Sequence, residues 1–174
     1  MAKSMTTYLV LTVIGKDKPG LVESLSQVIV ENSGNWLESS MCQLAGKFAG
    51  ILRVSVNDKD TESLIDGLNG LSKELKVVIE RVDTKDSDEI SSTVKLNLVG
   101  NDRPGIIREI SHGLSKMAVN VAELTTECIP APMAGDTLFK AEAQLQVPQE
   151  LNLERLKREL EQLADDLIVE IQLD

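Results

Sequence analysis

The chain has 174 residues, of which 42 % are hydrophobic and only 2 % aromatic, and its formal net charge is -10 at pH 7. With so few aromatic rings and such an acidic balance, base stacking and attraction to phosphate backbones are disfavoured, so we expect no direct nucleic-acid binding. No apolar run approaches membrane-spanning length, and Cys42 and Cys128 show no metal-ligand spacing. We therefore expect a cytoplasmic protein with reduced thiols, no metal, no cofactor and no contact with membranes.

A heptapeptide occurs twice. Residues 15–21 read GKDKPGL and residues 100–106 read GNDRPGI, a spacing of 85 residues. Because this spacing is about half the chain, it predicts two domains, residues 1–86 and residues 87–174. The first half carries ten basic and twelve acidic side chains, and the second carries eight basic and sixteen acidic. The acidic excess is therefore expected mainly in the second domain.

The first half predicts a βαββαβ order of elements. Residues 6–14 (TTYLVLTVI) are apolar at consecutive positions, which is typical of a central strand. Pro19 is expected at the first position of the helix that follows, where proline is well tolerated. Residues 36–44 and 48–56 flank a short turn with glycine and predict a hairpin. A second helix and a strand over residues 77–82 complete the order.

The second half repeats this order after a polar linker predicted at residues 84–90. The stretch 129–136 contains two prolines and is expected to protrude without regular pairing, whereas Asn152 is expected to cap the last helix. The fold class is therefore α+β: two tandem ferredoxin-like βαββαβ domains, each an antiparallel sheet with two helices on one face. On the open face of the first sheet, Val10 and Ile14 favour packing between domains or subunits.

The repeated loop has the chemistry of an amino-acid site. A helix start offers free N–H groups and a partial positive charge to a carboxylate, while Asp17 and Asp102 offer a negative charge to an ammonium group. Gly20 and Gly105 lack side chains, so a ligand can approach the backbone closely. A free α-amino acid carries both of the charges that such a loop would bind.

Two asparagines, Asn35 and Asn120, stand 85 residues apart, as the loops do. Each opens the second strand of its half, and we expect each to lie near the loop at one end of its sheet. There the amide would add a hydrogen-bond donor and an acceptor. The sequence thus predicts one candidate zwitterion site in each half.

The same residues allow a purely structural interpretation. An aspartate before a helix is a common cap, Pro-Gly is common turn chemistry, and asparagine tolerates a left-handed conformation. The chain would then be an interaction module that binds no ligand. An acylphosphatase-like enzyme would need a phosphate-binding loop with a positioned arginine, and Arg103 is the only arginine in either loop. We expect no catalytic residues and no enzymatic activity.

The order of strand, Gly-x-Asp-(Lys/Arg)-Pro-Gly-(Leu/Ile) loop, helix and asparagine-led strand resembles the ACT domain. The resemblance covers nearly the whole chain, as two tandem copies. ACT domains are small ferredoxin-like modules that bind amino acids and regulate enzymes or transcription. The resemblance implies ligand contacts from the loop and the start of the second strand, typically at an interface between ACT units. On this chain the implied ligand-binding residues are Asp17, Pro19, Gly20, Asn35, Asp102, Pro104, Gly105 and Asn120.

A stand-alone ACT pair without a catalytic domain is similar to the members of the family that regulate transcription. That similarity implies a repressor that senses glycine or a similar small amino acid and acts through a protein partner such as a transcriptional activator. The acidic surface agrees with action through a protein. The resemblance also implies assembly, and we expect a homodimer. The alternative is a structural ACT module that binds no ligand and serves only to assemble.

Overall fold

The structure, a computed structural model, describes residues 5–83, 91–133 and 135–173. Two compact units, Met1–Ser87 and Asp88–Asp174, are each described separately below. The predicted linker at residues 84–90, with the predicted boundary inside it, lies outside the described residues. No helix within the described ranges is long and apolar enough to cross a membrane.

The first unit is a four-stranded antiparallel sheet covered on one face by two helices. Its strand order is β2-β3-β1-β4, so β1 is a central strand, as predicted. A 3₁₀ turn, Asp58–Asp60, leads into the second helix, and another, Gly70–Lys73, follows it. The elements are β1 (Thr6–Lys16), α1 (Leu21–Glu31), β2 (Asn35–Leu44), β3 (Lys47–Asn57), α2 (Thr61–Asn69) and β4 (Leu75–Val82).

The second unit repeats this architecture with the strand order β6-β7-β5-β8. Its elements are β5 (Ser91–Asn101), α3 (Ile106–Lys116), β6 (Asn120–Pro130), β7 (Thr137–Pro148), α4 (Leu153–Glu161) and β8 (Ile168–Leu173). The predicted α+β class of two tandem ferredoxin-like units is confirmed.

Alternation along the central strands builds the two cores. Successive strand residues point to opposite faces, so every second side chain of β1 faces the helices. Leu9, Leu11 and Val13 are accordingly fully buried, and Leu64 and Leu68 from α2 complete that core. The corresponding residues of β5 are Val94, Leu96 and Leu98, which are buried in the second core.

Both helices that follow the repeated loops begin after the Pro-Gly pair and not at its proline. Gly20 has φ +90° and Gly105 has φ +88°, a left-handed conformation that cannot continue a right-handed helix. A glycine with positive φ after a proline is typical of a type II turn, and the Ile106 N–H donates to the Arg103 carbonyl at 3.3 Å across the second one. The expectation that Pro19 occupies the first helical position is therefore wrong, because it belongs to the turn.

The predicted protruding loop is shorter than expected. Ile129 pairs with Leu138 and Pro130 with Thr137, so the ladder between β6 and β7 continues past the first proline. Proline is tolerated there because β6 is an edge strand. The predicted cap of the last helix is confirmed, since the Asn152 side chain accepts a hydrogen bond from the Arg155 N–H at 3.1 Å.

Candidate functional site

The two loop aspartates are anchored through their backbones. The Asp17 N–H donates to the Gly46 carbonyl at 3.0 Å, and the Asp102 N–H donates to the Thr137 carbonyl at 2.8 Å. These bonds extend the sheet ladders by one step and hold each aspartate beside the hairpin of its unit. Asp17 is exposed, and its carboxylate has no hydrogen-bond or ion-pair partner among the described residues. It is therefore available to a cationic ligand group.

Asp102 differs from Asp17 because Cys128 lies beside it. Burial raises the pKa of the Cys128 thiol above its ordinary value, and the negative charge of Asp102 and a hydrogen bond to that carboxylate raise it further. The interaction with the Asp102 carboxylate thus favours the neutral form of the thiol. The first unit has Gln43 at the equivalent position, 85 residues earlier. The carboxylate of the second loop is consequently engaged within its own unit.

The basic residue of each loop is also engaged. Lys18 Nζ lies 2.5 Å from Glu74 Oε1. Arg103 donates from Nη1 and Nη2 to the two carboxylate oxygens of Glu109, at 2.9 Å and 2.5 Å. Arg103 Nη2 also lies 3.5 Å from the Leu163 carbonyl, at the end of α4. Each basic side chain of the two loops is thus held in an ion pair at the surface of its own unit.

The Arg103–Glu109 pair predicts a measurable pH dependence. The hydrogen bond from Arg103 is the main cause that lowers the pKa of the Glu109 carboxyl. A carboxyl whose pKa is lower in the folded state contributes stability above its unfolded pKa and loses it as the pH falls through the folded pKa. In the Arg103→Ala variant, the Glu109 carboxyl should titrate at higher pH than in the wild type. Carbon-detected NMR of the carboxyl groups measures this, with the other acids of the chain as internal controls. An unchanged Glu109 titration would contradict the pairing.

The structure does not bring the asparagines to the loops of their own units. Asn35 pairs with Ser55, and Ser55 pairs with Tyr8, eight residues before Lys16 at the loop end of β1. At about 3.3 Å per residue, this places Asn35 roughly 26 Å from the loop. The expectation that loop and asparagine meet within one unit is wrong, because α1 returns the chain to the start of the sheet before β2 begins.

The second unit has the same layout. Asn120 pairs with Gln146, and Gln146 pairs with Thr93. Thr93 lies near the start of β5, whereas the loop follows the end of that strand. The Asn120 side chain donates from Nδ2 to Gln146 Oε1 at 2.8 Å. The Asn35 side chain has no such partner among the described residues, so its amide is available.

Proline and glycine shape the helix starts beside the two aspartates. Pro19, Gly20, Pro104 and Gly105 are all exposed. A side chain added at either glycine would meet no heavy atom within 4 Å, so a ligand can reach the backbone there. The first intrahelical bonds are donated by Ser24 to Gly20 and by Glu109 to Gly105. The N–H groups of the first turns before those residues have no partner inside the helix.

An open depression of about 760 Å³ extends from Pro104 and Gly105 along α3. Arg108 and His112, one turn apart, contribute basic side chains to its walls. Arg108 was not among the predicted site residues, although its position in the first turn of the helix after the loop was a usable signal. Among the described residues, no group of three histidine, cysteine, aspartate or glutamate side chains is placed to hold a metal ion.

Comparisons with known proteins agree with this geometry. The family model of the ACT domain matches residues 7–81. The glycine cleavage system transcriptional repressor of Escherichia coli (strain K12) is 25 % identical over 134 residues, which cover 75 % of this chain and 70 % of that protein.

Two solved structures cover nearly the whole chain. The crystal structure of an unknown protein from Galdieria sulphuraria superposes with a TM-score of 0.85 at 28 % identity, over 98 % of this chain and 99 % of that one. A second crystal structure, provisionally assigned as a glycine cleavage system transcriptional repressor, has a TM-score of 0.71 at 18 % identity, over 98 % of this chain and 100 % of that one. The second likeness concerns the fold alone.

The first unit matches the family model of the ACT domain, and the second unit repeats the strand order of the first. The chain is therefore similar, over most of its length, to the glycine cleavage system transcriptional repressor.

Proposed function

We propose that this protein is an amino-acid-sensing regulator of transcription, of the glycine cleavage type, that acts through a protein partner. The observation that carries the proposal is the free Asp17 carboxylate beside an open helix start in the first unit. A negative side chain and a positive helix end within one loop match the two charges of an amino acid. The related repressor from Escherichia coli supports the regulatory part.

In the proposed complex, Asp17 accepts hydrogen bonds from the ligand ammonium group. The N–H groups of the first turn of α1 bind its carboxylate, and Pro19 and Gly20 hold the backbone open for that approach. Asp102, Pro104 and Gly105 form the equivalent loop of the second unit. Because the Asp102 carboxylate already interacts with the Cys128 thiol, the second loop is expected to bind the ligand more weakly.

We further propose that two copies of the chain complete the first site. β2 is an edge strand that begins at Asn35 and ends beside the hairpin to which Asp17 is bonded. Antiparallel pairing of β2 strands from two copies would place Asn35 of one copy near Asp17 of the other. This arrangement accounts for both residues in one site and for the expected homodimer. The equivalent pairing of β6 strands is disfavoured, and the Asn120 side chain is held by Gln146.

The proposal places the protein in the cytoplasm, where it regulates without touching DNA. The formal charge of -10 disfavours binding to phosphate backbones and agrees with action through a protein such as a transcriptional activator. Glycine or a similar small amino acid is the proposed ligand, which agrees with the similarity to the glycine cleavage system transcriptional repressor.

The Asp17→Asn variant tests the site. It keeps the shape of the side chain but removes its charge, so a charge-assisted hydrogen bond to the ligand ammonium is lost. We expect affinity to fall by about 10- to 100-fold, the equivalent of roughly 1.5–3 kcal/mol. Isothermal titration calorimetry with glycine, alanine and serine, preceded by a thermal-shift survey of the twenty amino acids, measures the effect.

Asp102→Asn is the matched variant in the second loop and should reduce binding less than Asp17→Asn does. Asp66→Asn, an exposed aspartate of α2, is the remote control and should leave binding unchanged. The oligomeric mass is recorded alongside by light scattering. If no amino acid produces heat or a thermal shift while the protein remains a folded dimer, the sensing part of the proposal is wrong.

A structural ACT module that binds no ligand is the second candidate. The observations that favour it are the engaged side chains of the second loop, where Arg103 binds Glu109 and Asp102 binds Cys128. Under this alternative, the loop variants would change stability by roughly 1 kcal/mol, as the loss of a cap does, and would alter no ligand response.

A further inference from the structure

An apolar groove opens on the second unit between α3 and the edge strand β6. Its free volume is about 30 Å³, enough for the tip of one aliphatic side chain, and Ser111 is the only polar residue that lines it. Leu124 is 51 % exposed and Ile107 37 % exposed at its mouth. Its principal lining residues are Ile107, Leu114, Val121, Leu124, Ala141 and Ala143.

Comparison of the two units shows how smaller side chains open the groove in the second one. In the first unit, Leu52 pairs with Leu11 of the central strand and is 1 % exposed, and Trp36 packs against the same core. The equivalent residues of the second unit are the smaller Ala143 and Val121, by ladder position and by the 85-residue repeat. The loss of side-chain volume leaves apolar surface uncovered, which is unfavourable unless another group covers it.

The strand beside the groove has a free edge and an acidic outer face. β6 is the terminal strand of the sheet formed by the described residues. Glu123 and Glu127 lie on the face opposite the groove, because they pair with Gln144 and Lys140 on the open side of β7. Lys140 lies 3.8 Å from Glu127, whereas Glu123 has no partner in the described part of the chain. One strand thus combines an apolar groove with two carboxylates, of which Glu123 is unpaired among the described residues.

We propose that β6 is the docking edge for an extended segment of a partner protein in which aliphatic and basic residues alternate. Backbone hydrogen bonds would add this segment to the sheet as a fifth strand. Since successive strand residues point to opposite faces, its aliphatic residues enter the groove while its lysines or arginines meet Glu123 and Glu127.

A second copy of the chain fits this edge poorly. Antiparallel pairing of two full-length β6 strands is centred on Thr125 and sets Glu123 opposite Glu127, and like charges placed opposite each other are destabilising. A basic partner removes this repulsion. The inference rests on the proposed action through a protein partner but is independent of the amino-acid site.

The test uses the full chain and a fluorescent ten-residue peptide of alternating valine and lysine with blocked ends. We expect saturable binding by fluorescence anisotropy and amide shift changes along β6 by NMR. Ala143→Leu fills the groove, and Leu124→Thr removes an apolar wall while keeping strand propensity. Each variant should weaken peptide binding by at least about tenfold, since a buried anchor contributes most of the affinity of such contacts. Glu123→Lys should also weaken binding and flatten its salt dependence.

Glu170→Lys on the opposite edge strand β8 is the matched charge control and should leave binding unchanged. A scrambled peptide of the same composition controls for charge alone. The proposal is overturned if the peptide shows no saturable binding up to 1 mM, where a dissociation constant corresponds to a binding free energy of only about -4 kcal/mol. It is equally overturned if Glu170→Lys weakens binding as much as Glu123→Lys does. It is also overturned if Leu124→Thr changes the oligomeric mass of the protein and leaves peptide binding unchanged. The glycine response, measured on the same variants, should persist, which separates this outcome from failure of the amino-acid site.

Discussion

The Gly15→Ala variant is expected to lower the free energy of unfolding of the first unit by about 2–3 kcal/mol, as overpacking of a rigid site does. A Cβ atom at this position would lie 2.4 Å from the backbone carbonyl oxygen of Glu74 and 3.0 Å from Leu75 Cδ2. The carbonyl belongs to the chain entering β4 and cannot rotate away as a side chain could. Urea unfolding followed by tryptophan fluorescence measures the effect.

Gly100→Ala is the matched control in the second copy of the heptapeptide. There the added atom would lie 3.1 Å from Leu167 Cδ1, the flexible end of a side chain, and 3.6 Å from the nearest backbone atom. We expect a change within about 1 kcal/mol, because a small rotation of Leu167 relieves the contact. Equal losses of unfolding free energy in the two variants would contradict this explanation. They would show that the first glycine of the motif has the same role in both loops, independent of the close contact with Glu74.

Leu64→Ala is expected to lower the free energy of unfolding of the first unit by about 3–4 kcal/mol, within the range for fully buried leucines. Leu64 is 0 % exposed and packs from α2 into the core of that unit. Trp36, the only tryptophan of the chain, contacts the same core. Its fluorescence should therefore report the loss directly.

Leu156→Ala is the corresponding change in α4, where Leu156 is also 0 % exposed. If the two units fold independently, this variant lowers the circular dichroism midpoint of the second unit but leaves the Trp36 transition in place. Coincident shifts of both signals in either variant would contradict independent folding.

Much of the fold could be predicted because its patterns are local. The apolar run from Thr6 reads as a central strand, and β1 has a neighbour on each side. The hairpin turn at Ala45 and Gly46 has positive φ at both residues, the geometry that a short glycine turn predicts. Because the second half repeats the first at a spacing of 85 residues, the order of elements predicted for one half also applies to the other.

Element ends were less predictable because tertiary contacts decide them. After α1 the left-handed conformation belongs to Ser33, with φ +60°, and not to the following Gly34, although glycine adopts it most easily. Gly34 is needed for space, since an added Cβ would lie 2.9 Å from the Ile29 carbonyl oxygen. Residue type alone cannot distinguish a glycine that supplies positive φ from one that permits close approach.

In the candidate site, too, local residue patterns were predictable and tertiary contacts were not. Residue types and spacing identified Asp17 and Asp102, but no sequence signal near the second loop indicated that Cys128, 26 positions later in the chain, would bond to Asp102. The separation of Asn35 from the loop followed from the direction of β2, which was available from the βαββ order but was not used. The sequence thus predicted which chemical groups the loops contain, but not whether those groups are free to bind a ligand.

The separation of the loop and Asn35 at opposite ends of one sheet has a thermodynamic consequence. If a bound amino acid touches the loop of one copy and the asparagine of another, ligand binding and association of the copies are linked equilibria. The amino acid then tightens the dimer by the same factor by which dimerisation tightens the amino acid. The apparent sensitivity to the amino acid would rise with the amount of protein, so the cell could tune the response threshold through expression level alone.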